Sequence, residues 1–158
     1  MKALIINADD MGVSAAVNDA VIRLYKAAAI TGTSIIAPGE AFMPASEALM
    51  ASGVSEVGAH LTLTGKFRPV SRGMGVLTDS GGYFPGTYIK LVPKLFLSGV
   101  KRKVLKEELA AQVEKIKKEG FSVTHVDSHE HVHMIPSVLE SVIELCSDMA
   151  IPYVRFPF

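Results

Sequence analysis

Residues 122–136 of the chain read SVTHVDSHEHVHMIP and carry the pattern that decides the fold. The apolar positions within Val123–Asp127 predict a short β-strand. A run of histidines follows, and Pro136 then suits the first turn of a helix. A strand that leads into a helix through a short polar connection is the repeating unit of α/β folds.

The same alternation of strand and helix extends in both directions from this segment. Further strands are predicted at Ala3–Ile6, Thr33–Ile36, Val57–Leu63 and Tyr153–Phe156. Helices are predicted from about Ser14, over Phe42–Met50, Tyr88–Leu97 and Lys101–Glu119, and from Pro136 onward. This alternation predicts a parallel sheet covered by helices, and the pattern alone leaves doubly wound and barrel arrangements open.

Residues 65–86 depart from the alternation, because they are rich in glycine and proline and hold few long apolar runs. Connections of this length in compact domains are usually functional loops. We therefore interpret residues 1–158 as a single domain that carries one long loop. The loop is a candidate lid over a binding site.

The composition excludes several classes of protein. Of the 158 residues, 49% are hydrophobic, and 16 basic residues balance 16 acidic ones. This is the composition of a globular protein, and the balanced charge gives no electrostatic basis for binding nucleic acid or an anionic membrane. The one cysteine, Cys146, cannot form an intrachain disulfide, and no apolar run is long enough for a signal peptide or a membrane span. We expect a cytoplasmic protein.

Carboxylates and imidazoles gather at or just after the predicted strands. In chain order they are Asp9, Asp10, His60, Asp127, His129, His131 and His133. Because the C-terminal ends of parallel strands meet at one rim, we expect these side chains to lie close together. A hydrolytic metal site needs three protein ligands, an open position for water and a separate group that accepts a proton. The clustered residues have the right chemistry for such a site.

The adjacent Asp9 and Asp10 suit a division of labour, since neighbouring side chains on an extended segment point in opposite directions. One carboxylate can bind the metal while the other reaches the water. The segment His129–His133 also matches the H-E-x-x-H pattern of zinc proteases, but that pattern works only on a helix. The strand before it and Pro136 after it favour a strand end and a loop, so the protease interpretation is disfavoured.

Three segments resemble the YdjC-like carbohydrate deacetylases, a family that includes chitooligosaccharide deacetylase and a hopanoid-biosynthesis-associated relative. They are NADDMG at 7–12, GAHLTL at 58–63 and THVDSHEHVH at 124–133, in the family's order and at compatible spacing. The resemblance implies an α/β fold, a distorted (β/α) barrel of the polysaccharide-deacetylase type. It also implies a metal-dependent hydrolase that removes N-acetyl groups from amino sugars or short oligosaccharides.

By motif match, the resemblance implies that Asp10, His60 and His129 hold one divalent metal ion, Mg²⁺ or Zn²⁺. It implies that Asp9 is the catalytic base and that the substrate is an N-acetylated sugar. Three further residues are expected to orient the ligands or to face the substrate, namely Asp127, His131 and His133. His125 is expected to pack inside.

The chain is shorter than the family's usual length, so we expect an incomplete barrel of about five parallel strands. In related deacetylases the remaining part carries the acid that protonates the leaving amine. An open sheet exposes an edge and an apolar face, which leads us to expect a homo-oligomer, a dimer or larger. Two alternatives stay open: a metal hydrolase that acts on a non-sugar amide, and a catalytically incomplete module that binds metal or sugar.

Overall fold

The fold is an α/β arrangement around one parallel sheet, in a computed structural model that describes residues 4–157. Five strands lie in the order β1-β2-β3-β4-β5, and every neighbouring pair is parallel. Their bounds are β1 Asn7–Met11, β2 Gly32–Ile35, β3 Glu56–Leu61, β4 Ser122–Ser128 and β5 Tyr153–Val154. The expected parallel sheet of five strands is confirmed.

Five helices connect and cover the strands, close to the positions that the hydrophobic periodicity predicted. They are α1 Ala15–Lys26, α2 Phe42–Ala51, α3 Tyr88–Leu97, α4 Arg102–Lys118 and α5 Pro136–Asp148. The Ser14 side chain caps α1 by accepting a hydrogen bond from the Val17 backbone N–H. Pro136 occupies the first turn of α5, where a missing N–H costs nothing.

None of the helices in residues 4–157 combines the length and the hydropathy that a membrane span requires.

The core lies between the sheet and the apolar faces of the helices. The predicted apolar stripe on α4 is buried, and each of its residues is at most 1% exposed: Leu105, Leu109, Val113 and Ile116. This face packs against β3 and α5. The same helix buries two polar side chains, Glu108 and Gln112, which bond to the segment after β3.

The first strand begins at Asn7 rather than at Ala3, so the prediction for Ala3–Ile6 was wrong. Leu4 and Ile5, expected to be buried, are 77% and 79% exposed, and Ala3 lies outside the described residues. The reason is the partner strand: β2 begins at Gly32, which pairs with Asn7. Asp9 and Asp10 therefore lie within the strand and not beyond its end. The fifth strand is also shorter than predicted and ends at Val154.

The sheet is strongly curved. In a flat sheet, four strand spacings would put β1 and β5 roughly 19 Å apart. Yet Arg155, which follows β5, places its Nη1 and Nη2 atoms 2.8 Å and 2.6 Å from the two carboxylate oxygens of Asp9 on β1. The curved sheet surrounds an open cavity of about 640 Å³ that side chains of all five strands line.

Residues 62–87 form the long connection between β3 and α3 and contain no helix or strand. The predicted third strand reached Leu63, whereas β3 ends at Leu61. The connection is held against α4. Both carboxylate oxygens of the fully buried Glu108 accept hydrogen bonds from this segment, from the Val70 N–H at 3.0 Å and the Ser71 N–H at 2.7 Å. Phe84 and Leu77 are buried in the main core. The segment is therefore an ordered part of the domain that packs against α4 and the core.

Candidate metal centre

Three elements bring Asp10, His60 and His129 together. Asp10 lies on β1 and His60 on β3, and His129 begins a short 3₁₀ segment, His129–Met134, directly after β4. Both imidazoles point at the same carboxylate oxygen. His60 Nε2 is 3.3 Å and His129 Nδ1 is 2.8 Å from Asp10 Oδ1. One ligand atom from each residue lies within 4.8 Å of the others, which is the spacing that a single metal ion needs.

A bulge in β1 aims the Asp10 side chain. Between Ala8 and Met11 the strand advances three residues while its partner β2 advances two, from Thr33 to Ile35. Asp10 takes the extra position with φ of 64°, in the left-handed region that residues other than glycine rarely adopt. Strain of this kind is typical of functional sites, and here it turns the carboxylate toward the two histidines.

His60 is held in one tautomer by Asp127, its neighbour on the adjacent strand β4. Its ring is 2% exposed, and Nδ1 lies 2.7 Å from Oδ1 of the fully buried Asp127. Because Asp127 accepts the Nδ1 proton, Nε2 is left with the lone pair that a metal ligand needs. Ser34 Oγ donates to the second Asp127 oxygen at 2.8 Å, so the carboxylate is fixed in turn.

The donor set fits a divalent cation. Burial alone would lower the pKa of His60, but hydrogen bonds to Asp10 and Asp127 raise it to about 9. Hydrogen bonds from His129 and His60 hold the pKa of Asp10 well below its ordinary value. The centre therefore favours a positive charge between these groups, and a metal ion can replace the proton that occupies this position.

Asp9 lies beside this cluster and is paired with Arg155. Beside the two guanidinium contacts, Asn7 Nδ2 donates to Asp9 Oδ1 at 2.9 Å. Burial by itself raises the pKa of Asp9, but the hydrogen bonds from Arg155 and Asn7 outweigh it, and the net pKa is lowered. Asp9 is thus an ionised, oriented carboxylate beside the cluster.

The side chains of Asp9, His60 and Asp127 form a second group close enough to hold a cation. A cation already lies there, because Arg155 Nη2 is 2.6 Å from Asp9 Oδ2 and 3.2 Å from Asp127 Oδ2. The guanidinium offsets one of these two negative charges and occupies the space between the carboxylates, which leaves the Asp10 group as the better metal site. Sequence reasoning missed Arg155. The signal in the sequence was a single charged residue inside the predicted strand Tyr153–Phe156.

The remaining histidines do not join the cluster. His131 is exposed and contacts the His133 ring edge-on, with centroids 6.4 Å apart. His133 is buried, and its Nε2–H donates to the Arg155 backbone carbonyl at 2.8 Å. His133 thus contacts the backbone of Arg155. His125 bonds Ser34 Oγ at 3.1 Å and faces the open cavity, so the expectation that it packs inside was only partly right.

The segment after His129 is a kinked 3₁₀ turn and not a loop as predicted. Glu130 and His131 have φ of 52° and 54°, which breaks any helical repeat. His129 faces Asp10 while His133 faces Arg155. The two histidines therefore share no face, and the H-E-x-x-H protease arrangement is absent from this segment.

Comparison with known proteins gives consistent matches along the chain. The model of the family described as YdjC-like protein matches residues 3–158. A carbohydrate deacetylase from Clostridium beijerinckii is 36% identical over 149 residues, which cover 94% of this chain and 58% of that protein. One from Oceanobacillus iheyensis is 31% identical, over 93% of this chain and 62% of that protein.

A solved structure shares the fold. It is a protein from Enterococcus faecalis V583 described as a cellobiose-phosphate cleavage protein, with a TM-score of 0.82 and 28% sequence identity. The match covers 94% of this chain and 57% of that one. The chain thus spans about three fifths of the length of the proteins that it matches.

Proposed function

Because the chain belongs to the YdjC-like protein family, we propose that it forms the metal-binding part of a hydrolase that removes N-acetyl groups from amino sugars or short oligosaccharides. The carbohydrate deacetylases among its relatives support the reaction and the substrate class. One observation carries the proposal. A carboxylate and two imidazoles converge on one point, beside a second carboxylate that a guanidinium keeps out of the cluster.

In this proposal Asp10, His60 and His129 would hold one divalent ion. Two imidazoles and one carboxylate suit Zn²⁺ by ligand type, and Mg²⁺ is the alternative that the carboxylate allows. When bound, the ion supplies Lewis acidity, which lowers the pKa of a water molecule and stabilises negative charge on the amide oxygen.

The other residues have roles that follow from their contacts. Asp9 would accept a proton from the water that attacks the acetamide carbon, and Arg155 keeps this carboxylate ionised and fixes its direction. Asp127 keeps the proton on His60 Nδ1, so that Nε2 presents its lone pair to the cluster. His133 supports the backbone that carries Arg155.

We also propose that the protein acts in the cytoplasm as a homo-oligomer. The single cysteine, Cys146, is buried and unpaired, which suits a reducing compartment.

Large apolar side chains on α3 are exposed, Phe96 by 74% and Leu97 by 86%, and such surface favours self-association.

The proposal is tested by measuring acetate release from di-N-acetylchitobiose by the 158-residue chain, after Zn²⁺ or Mg²⁺ is added back. Asp9→Asn should abolish release and keep the metal, whereas His129→Ala should lose both. His131→Ala is the matched control for metal content, because this neighbouring histidine lies outside the cluster. Metal retained in His129→Ala would refute the ligand assignment.

A catalytically incomplete module that binds metal or sugar is the second candidate. Such a module needs only the cluster of Asp10, His60 and His129, which the described residues bring together. One metal ion per chain, lost in His129→Ala, without acetate release from any acetylated sugar would support this candidate over the deacetylase.

A further inference from the structure

We infer that a groove next to the metal centre binds the sugar ring adjacent to the one that loses its acetyl group, and that Arg68 and Tyr83 set a preference for disaccharides over monosaccharides. The inference rests on the proposed function. The groove has a volume of about 370 Å³, within the range of small-molecule sites. Its lining includes Glu40, Gly65, Lys66, Phe67, Arg68 and Tyr83.

The groove begins where the metal cluster ends. The Phe67 ring meets the His129 ring edge-on, with centroids 6.2 Å apart. A Cβ atom added to Gly65 would lie 3.3 Å from His129 Cδ2 and 2.6 Å from the Phe67 ring. Gly65 therefore lets the wall approach the cluster closely. A sugar whose acetamide reaches the centre extends its next ring along Phe67.

The lining chemistry matches a pyranose ring, which presents apolar C–H faces and a rim of hydroxyl groups. Phe67 and Tyr83 offer aromatic surface. Glu40 can accept hydrogen bonds from hydroxyl groups, and Lys66 and Arg68 can donate to them. Hydroxyl groups both donate and accept, so a neutral sugar can use carboxylate and cations in the same groove.

Arg68 and Tyr83 form a fixed pair. The guanidinium carbon lies 4.2 Å from the centroid of the Tyr83 ring, and Nη2 donates to the Tyr83 hydroxyl at 3.1 Å. Within residues 4–157 the other Arg68 N–H groups donate to no protein atom, so they are free for a ligand. A stacked guanidinium has lost much of its freedom before binding, which favours directional hydrogen bonds to a sugar.

The turn that carries Tyr83 is set by its own hydrogen bonds. Asp79 Oδ1 accepts from the Gly81 N–H at 2.9 Å and from the Tyr83 N–H at 3.0 Å. The Phe84 N–H donates to the Phe67 carbonyl at 2.8 Å and ties the two sides of the wall together. These hydrogen bonds hold the two sides of the groove in place, so ordering costs on binding are small.

The test is the ratio of kcat/KM for di-N-acetylchitobiose to that for N-acetylglucosamine. Loss of a charged hydrogen-bond donor should lower this ratio roughly tenfold in Arg68→Ala, mainly through KM for the disaccharide. Tyr83→Phe should give a smaller decrease, because the stacked ring remains. Arg72→Ala is the matched control, since Arg72 is an exposed arginine of the same segment outside the groove. An unchanged ratio in Arg68→Ala would overturn the inference.

A second measurement separates this inference from the proposed function. Calorimetric titration of Asp9→Asn protein with di-N-acetylchitobiose reports binding without turnover. If acetate is released but the kcat/KM ratio is unchanged in Arg68→Ala, the deacetylase proposal is supported and the groove assignment is refuted. If no acetate is released, disaccharide binding that Arg68→Ala weakens supports the groove on its own. Binding that Arg68→Ala leaves unchanged, or no binding, overturns the inference.

Discussion

Replacing Arg155 by alanine removes the guanidinium that orients the proposed base. Asp9 accepts two charge-assisted hydrogen bonds from Arg155, at 2.8 Å and 2.6 Å. Both side chains are about a third exposed, Arg155 by 31% and Asp9 by 36%, so solvent partly screens the pair. We assign the lost orientation about 1.5–3 kcal/mol, the range for hydrogen bonds to charged groups. This corresponds to a fall in kcat of roughly ten- to a hundredfold.

The pH profile gives an independent readout of the same change. Burial alone raises the pKa of Asp9, and Arg155 is the main group that lowers it. Without the guanidinium the pKa of Asp9 should rise, so the acid limb of kcat/KM should move to higher pH. Arg155→Lys keeps a charge but not the paired contacts, and should give an intermediate rate.

The assay is acetate release by the full chain with metal restored. It is measured at intervals of about one pH unit between about pH 5 and pH 9. Metal content should stay at the level of the unmodified protein, since Arg155 is not among the ligand atoms of the cluster. Activity within about twofold of the unmodified protein, with the acid limb unmoved, would refute the assigned role of Arg155.

Three further predictions concern the supports of the site. Asp127→Asn should weaken metal affinity roughly ten- to a hundredfold, because the one amide oxygen cannot accept from both His60 Nδ1 and Ser34 Oγ and the side chain no longer carries a negative charge; a chelator competition that shows equal affinity contradicts this. Glu108→Ala should lower the free energy of unfolding in urea by about 2–4 kcal/mol, because two backbone N–H groups lose their buried acceptor. A loss under about 1 kcal/mol, which is typical of a surface substitution, would show that these two hydrogen bonds do not hold the long connection in place. Burial lowers the pKa of His125, so the unfolded state takes up the proton first, and stability is lost as pH falls below about 6.5. In thermal unfolding measured at several pH values, His125→Gln should reduce the slope of the free energy of unfolding against pH by up to about 1.4 kcal/mol per pH unit. His131→Gln, a substitution of an exposed histidine, should leave that slope unchanged.

The elements with a strong local pattern could be predicted from the sequence. The buried stripe on α4 repeats at helical spacing, and a glycine, Gly120, follows the helix closely. The grouping of Asp10, His60 and His129 was also predictable, because parallel strands deliver their ends to one rim.

Features set by distant partners could not be predicted in this way. The start of β1 depends on where Gly32 begins the neighbouring strand, and hydrophobicity at 3–6 carries no information about that register. The left-handed backbone at Asp10 comes from a bulge against β2. Arg155 reaches Asp9 only because the whole sheet curves, which no local window of sequence encodes.

The Arg155–Asp9 pair also bears on the order in which the protein assembles. It joins residues 146 positions apart, whereas the cluster of Asp10, His60 and His129 is complete once residue 129 is in place. Contacts that close the longest loops form late in folding, since they require the rest of the chain to be ordered first. During synthesis the nascent chain would thus hold the three proposed metal ligands well before Asp9, the proposed base, is aligned by Arg155.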